Sequence, residues 1–219
     1  MKIFLDTANI QEIKEAAQMG IIDGITTNPT LLAKESGKEL QMIASEIIHL
    51  VDGPISLEVL SQKAEEMLEE GKRLFDISHK HVVIKVPMCE EGLRAIRMFA
   101  FHKIPTNCTL IFSANQGLLA AKAGATYISP FIGRLDDIGE DGMVLLENLI
   151  NIIDFYGYET QIIAASIRHP LHVTQAALLG SHIATVPYPV LKKMFHHPLT
   201  TKGIEVFKQD WEKFIQSSN

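Results

Sequence analysis

Cysteine is scarce. Only Cys89 and Cys108 occur in 219 residues, and they lack the C-x-x-C spacing of a redox or zinc site. Neither a disulfide framework nor a cysteine-bound metal is indicated, and a reducing, cytoplasmic compartment is expected. A basic surplus is lacking as well. Twenty Lys and Arg stand against 26 Asp and Glu, for a net charge of −6, with no basic run. That balance argues against a general nucleic-acid binder. No apolar stretch reaches the roughly 18 residues of a membrane span, so no membrane partner is expected. The opening Met1-Lys2-Ile3-Phe4-Leu5-Asp6 carries charge too early for a signal peptide and reads as a strand. No Gly-rich dinucleotide or phosphate-loop fingerprint follows any candidate strand. No linker rich in Gly, Pro or Ser interrupts the chain, so residues 1–219 read as one domain. An apolar content of 47% suffices for a core without disulfide or metal support.

What is present is a rhythm. Strands are expected at Lys2–Asp6, Gly24–Thr27, Pro54–Val59, Val82–Val86, Thr106–Ile111, Thr126–Phe131, Gln161–Ser166 and His182–Val186. Helical periodicity follows each of them, for example Leu40, Ile43, Ile47 and Leu50, or Leu93, Ile96 and Phe99. Asn9 with Glu12, and Ser113 with Gln116, have capping-box spacing; Gly20, Gly124, Gly157 and Gly180 stand at expected helix ends. Eight strand–helix units predict a (β/α)8 TIM barrel, although the chain is shorter than the roughly 250 residues typical of that fold. A doubly wound open sheet is the alternative, but it usually has fewer strands. One more helix, about 200–216, carries an apolar stripe of Ile204, Phe207, Trp211 and Phe214. It either packs on its own barrel or, as we expect from Trp211 and Phe214, docks on a neighbouring subunit.

Within Val82-Val83-Ile84-Lys85-Val86-Pro87, a lysine interrupts a run of β-branched residues. Strand alternation sets Val83 and Lys85 on one face, and Ile84 and Val86 on the other. A lysine at the inner carboxyl end of a buried strand either snorkels to the rim or serves as an amine nucleophile. In this fold chemistry sits at the carboxyl ends of the strands. The polar residues expected there are Asp6, Thr26, Asn28, Glu58, Lys85, Asn107, Thr109, Ser129, Ser166 and Arg168, with Phe131 beside Ser129. Singly, Asp6 or Asn28 could cap a helix, and a Thr or Ser could fill a small lumen layer. Together they suit Schiff-base chemistry. An amine attacks a carbonyl as the neutral base, a form that burial favours. Glu58 is placed to relay protons, and Asp6 to act as the base for a neighbouring hydroxyl. Asn28, Asn107 and Ser129 can bind the hydroxyls of a polyol. Arg134 and Arg168 suit a phosphate, although Arg134 could instead pair at the surface with Asp136 or Asp137. The histidines lack metal-protease spacing, so His169, His172, His196 and His197 are expected at the surface or as helix caps. Cys108 alternates away from Asn107 and Thr109 and should face the helices.

The motifs Phe4-Leu5-Asp6-Thr7-Ala8-Asn9, Thr26-Thr27-Asn28-Pro29-Thr30, Ile84-Lys85-Val86-Pro87, Asn107-Cys108-Thr109-Leu110 and Ser129-Pro130-Phe131-Ile132-Gly133-Arg134 resemble the small transaldolase family, which includes the fructose-6-phosphate aldolases. The similarity runs from the first strand through the last helix. It implies a class I mechanism with no metal and no cofactor, acting on phosphorylated sugars in the pentose phosphate pathway. By this resemblance Lys85 forms the Schiff base and Asp6 is the acid/base at the C4 hydroxyl. Glu58 and Thr109 would hold the catalytic water. Thr26, Asn28, Asn107, Ser129, Phe131 and Ser166 would contact substrate, and Arg134 and Arg168 its phosphate. The resemblance also implies a homo-oligomer, a pentamer or decamer. The aldolase branch carries glutamine and tyrosine where this chain has Glu58 and Phe131, so those two residues point to the transaldolase branch. Three functions follow as expectations: transfer of a dihydroxyacetone unit, release of free dihydroxyacetone, and non-catalytic binding of a sugar phosphate. The joint presence of Asp6, Glu58 and Lys85 disfavours the third.

Overall fold

In the computed structural model, which describes residues 1–35, 37 and 39–217, eight parallel strands close into a barrel in chain order. They are β1 (Lys2–Asp6), β2 (Gly24–Thr26), β3 (Ile55–Glu58), β4 (Val82–Pro87), β5 (Thr106–Ile111), β6 (Tyr127–Pro130), β7 (Gln161–Ala164) and β8 (Ile183–Val186). β8 pairs back onto β1, with Ile183 opposite Lys2 and Val186 opposite Leu5, so the sheet has no free edge. The helices are α1 (Ile10–Ala17), α2 (Pro29–Leu32), α3 (Leu40–Leu50), α4 (Ala64–Phe75), α5 (Glu90–Phe101), α6 (Ala114–Ala123), α7 (Ile132–Asp136), α8 (Gly142–Tyr156), α9 (Pro170–Leu179), α10 (Tyr188–Met194) and α11 (Pro198–Ser217). This is the expected (β/α)8 TIM barrel with an added C-terminal helix.

Two apolar layers follow from strand alternation. Outward residues such as Leu5, Ile25, Ile84, Val86 and Ile128 pack under helix residues Ile13, Ile47, Met67, Phe99 and Leu149 in one continuous core. Inward residues Phe4, Ile163 and Ile183, with Tyr127 against them, plug the lumen. Cys108 is fully buried on the outward side, and burial pushes its thiol up to about 12. Gly71 is required where α4 crosses α5, because a Cβ there would lie 2.4 Å from the Phe99 ring. Asn9 and Ser113 cap α1 and α6 as expected, accepting from the backbone N–H of Glu12 and Gln116.

The ladder aligns the upper lumen. Asp6 is opposite Thr26, Glu58 opposite Lys85, and Lys85 opposite Asn107. Above that layer the backbone leaves simple alternation. Within β5, Leu110 has φ 61° and the β5–β6 register shifts between Cys108 and Ile111. This bulge turns Leu110 into the cavity, where alternation would place it outward. β7 ends at Ala164 rather than at Ser166, because Ser166 adopts φ 61°, outside the extended region. β6 ends at Pro130, and Phe131 turns the chain into α7 while retaining one bridge to Ala165. The short helices α2 and α7 were not expected, since one turn is too brief to carry a periodic signal.

α11 buries none of its 20 residues. Its stripe is exposed: Phe207 is 76% exposed and Trp211 62%. No helix among the described residues is long and apolar enough to cross a membrane.

Candidate active site

A cavity of about 450 Å³ opens at the carboxyl ends of the strands. Every residue singled out from sequence lines it: Asp6, Thr26, Asn28, Glu58, Lys85, Asn107, Thr109, Ser129, Phe131, Arg134, Ser166 and Arg168. Leu110, Ala165 and Thr185 join them, with Pro29, Thr30 and Leu31 of α2 at the rim.

Lys85 is buried and does not snorkel. Its Nζ donates to the Thr27 carbonyl at 2.9 Å and lies 3.0 Å from Glu58 Oε2. The register places Glu58 and Lys85 side by side on adjacent strands, so the amine has a proton acceptor within hydrogen-bond reach. Asp6 sits on the other side of β2. Its Oδ1 accepts from Thr26 Oγ1 at 2.8 Å, and Thr26 Oγ1 is 2.6 Å from Thr185 Oγ1. Because Thr26 spends its proton on Asp6, Thr185 must donate to Thr26. Burial raises the Asp6 carboxyl above the usual carboxylate range; the Thr26 hydrogen bond and the Lys85 charge oppose that rise. Asp6 caps no helix, whereas Asn28 accepts from Leu31 N–H at 2.9 Å and starts α2.

Across the lumen runs a second polar chain. Ser129 Oγ donates to Asn107 Oδ1 at 2.7 Å, and Asn107 Nδ2 donates to Ser56 Oγ at 3.1 Å. Asn107 is thereby held with a fixed amide orientation. Thr109 lines the cavity, and its Oγ1 is buried with no hydrogen-bond partner among the described residues.

The two arginines come from the loops after β6 and β7. Arg134, in α7, stacks its guanidinium 4.8 Å from the centre of the Phe131 ring, which in turn meets Phe112 edge-on at 5.7 Å. Arg168 Nη2 donates to Asp137 Oδ2 at 2.5 Å, so Asp137 serves Arg168 rather than Arg134. Asp136 pairs with His172 at 2.8 Å. His169 caps α9 as expected, but His172 is buried instead of lying at the surface, because Asp136 satisfies its ring.

Sequence reasoning missed Ser56 and Thr185. Both were within reach of the rule that found the rest: Ser56 lies two residues before Glu58 on the same face, and Thr185 is the lumen position next to the end of β8.

The family model for transaldolase/fructose-6-phosphate aldolase matches residues 3–218. The chain belongs to that family. Relatives named probable transaldolase share 59% identity in Alkaliphilus metalliredigens over 99% of this chain and 100% of the relative. In Thermoanaerobacter sp. the figures are 57% identity over 97% and 98%, and in Desulfosudis oleivorans 57% over 97% and 99%. Among solved structures, a mandelate oxidase superposes with a TM-score of 0.58 at 15% identity, over 85% of this chain and 63% of that one. At that identity the likeness concerns the barrel alone.

Proposed function

We propose that this chain is a transaldolase that moves a dihydroxyacetone unit from a ketose phosphate to an aldose phosphate through a Schiff base on Lys85. The donor is sedoheptulose 7-phosphate or fructose 6-phosphate; the acceptor is glyceraldehyde 3-phosphate or erythrose 4-phosphate. The observation that carries the reading is a buried amine with a carboxylate at 3.0 Å, facing a second carboxylate held by Thr26. Lys85 Nζ attacks the ketose C2, and Glu58 accepts and returns protons as the carbinolamine loses water. Thr109 and Glu58 hold that water. Asp6 takes the proton of the C4 hydroxyl, the C3–C4 bond breaks, and its electron pair enters the iminium to give an enamine. The aldose leaves; the enamine carbon attacks the incoming aldehyde, and Asp6 returns its proton to the new hydroxyl. Hydrolysis of the second iminium frees Lys85. Asn28, Asn107, Ser129 and Ser166 bind sugar hydroxyls, and Arg134 and Arg168 the phosphate. No cofactor enters these steps. The pentose phosphate pathway in the cytoplasm is the setting that fits these substrates.

The second reading is an aldolase that protonates the enamine and releases dihydroxyacetone. Phe131 favours transfer, since its ring packs on Arg134 and offers no hydroxyl to order a water near the enamine. A coupled assay on fructose 6-phosphate, with and without erythrose 4-phosphate, separates the two: turnover should depend on the acceptor. Phe131→Tyr should raise release relative to transfer by about tenfold. That shift requires only about 1.4 kcal/mol between two barriers, comparable to one net hydrogen bond. An unchanged ratio would make Phe131 ordinary packing.

Asp6 must be ionised to accept the hydroxyl proton, so its raised pKa should set the acidic limb of kcat/KM. Thr26→Val removes a hydrogen bond that favours the carboxylate and should carry that limb to higher pH. A limb that stays in place, measured with the variant folded, would assign it to another group.

The α11 stripe completes the reading. Its aromatic residues, Trp211 and Phe214 stacked at 5.5 Å, dock on a second copy of the chain to build a pentamer or decamer. Light scattering should give one of those masses; a monomer at micromolar concentration would refute the assembly.

A further inference from the structure

His172 lies in the first turn of α9 and is buried, outside the cavity. Both ring nitrogens are used, and they are used on different loops. Nδ1 accepts the backbone N–H of Arg168 at 3.3 Å. Nε2 lies 2.8 Å from Asp136 Oδ2, at the end of α7 and two residues beyond Arg134. Since Nδ1 accepts, the proton sits on Nε2 and is donated to Asp136. The carboxylate is itself held, because its Oδ1 accepts from Gly142 N–H at 3.0 Å. The His169 ring lies against the imidazole, tilted by 50° with centroids 3.8 Å apart, and accepts the His172 backbone N–H at 3.3 Å. One side chain thus ties the loop that carries Arg134 to the loop that carries Arg168.

We propose that His172, oriented by Asp136, is a positioning residue that fixes the separation of Arg134 and Arg168 and thereby the affinity of the site for a phosphate group. The inference rests on the proposed reading of these arginines as a phosphate site. Two guanidinium groups bind one phosphate well only when their spacing is set beforehand, and displacements near 1 Å undo such a clamp. The Asp137 contact cannot set that spacing. It holds only the exposed tip of Arg168, whereas His172 holds the backbone. The neutral ring required at Nδ1 is favoured by burial and by the charges of His169 and Arg168, against the opposing pull of Asp136.

The test compares three variants with the full-length protein. His172→Leu removes both hydrogen bonds at similar volume. Asp136→Asn breaks one bond in either amide orientation, because a single amide cannot accept from both His172 and Gly142. Arg168→Ala checks the underlying phosphate reading. Three quantities are read: KM for fructose 6-phosphate, competitive inhibition by inorganic phosphate, and borohydride trapping of dihydroxyacetone, a ketone without phosphate. For His172→Leu and Asp136→Asn, KM and the phosphate inhibition constant should rise about tenfold, the scale of one lost oriented hydrogen bond to a charge. Trapping of dihydroxyacetone should keep its rate, a split that general loosening of the fold would not produce. Unchanged phosphate inhibition in these two variants, with Arg168→Ala weakened, would overturn the role of His172 alone. Unchanged inhibition in Arg168→Ala would overturn the phosphate reading and the inference with it. Failure of both His172→Leu and Asp136→Asn to fold, or a parallel loss of trapping, would assign the pair to the fold and overturn the proposal.

Discussion

Lys85→Met should abolish turnover while leaving the barrel folded. The stem of Lys85 is enclosed by the lumen, and methionine fills nearly the same apolar volume. What is lost is the amine, with its contacts to the Thr27 carbonyl and to Glu58. Glu58 lies at the cavity wall and can take water in place of the lost amine, so the stability cost should stay within about 1–3 kcal/mol. Catalysis has no substitute, because no other lysine among the described residues lines the cavity. In the unmodified protein, borohydride with fructose 6-phosphate should fix an adduct on Lys85, located by mass spectrometry of the digest. An adduct on a different lysine, or residual turnover in a folded Met variant, would sink the Schiff-base assignment.

Gly133→Ala should damage stability and phosphate binding together. Gly133 is the second residue of α7, immediately before Arg134, and a Cβ there would lie 1.9 Å from the Ser166 carbonyl oxygen and 2.8 Å from Arg168 Cγ. The loops after β6 and β7 would have to part by roughly 1 Å, since the interior has no slack to absorb the methyl. Overpacking of this kind costs about 1–3 kcal/mol, or roughly 3–10 °C in Tm for a chain of this size. The same displacement separates Arg134 from Arg168. KM for fructose 6-phosphate should rise about 10- to 100-fold, as one or two charge-assisted hydrogen bonds are lost. Calorimetry and steady-state kinetics check the two arms. An alanine variant with unaltered Tm and KM would mean that the loops are free to move, and that their spacing does not govern binding.

The sequence alone determined the barrel and the residues that face its mouth. Both are local properties. The period of two in Val82-Val83-Ile84-Lys85-Val86 puts Lys85 inward wherever the strand ends up, and the repeated alternation with helical stripes leaves few ways to close the sheet. All twelve candidate site residues line one cavity: Asp6, Thr26, Asn28, Glu58, Lys85, Asn107, Thr109, Ser129, Phe131, Arg134, Ser166 and Arg168. Tertiary structure decided the pairings among them. Glu58 rather than Asp6 touches Lys85, because the β3–β4 register sets those two level while Asp6 is tied up through Thr26. Asp137 holds Arg168, and His172 is drawn inside by Asp136, across loops with no sequence relation to each other. The left-handed Ser166 and the Leu110 bulge likewise belong to closure of the upper rim, where neighbouring strands impose a geometry that L-residues do not choose unaided. Alternation along a strand is set by the covalent chain, whereas distance across the lumen is set by register and closure, which appear only when all eight strands are paired.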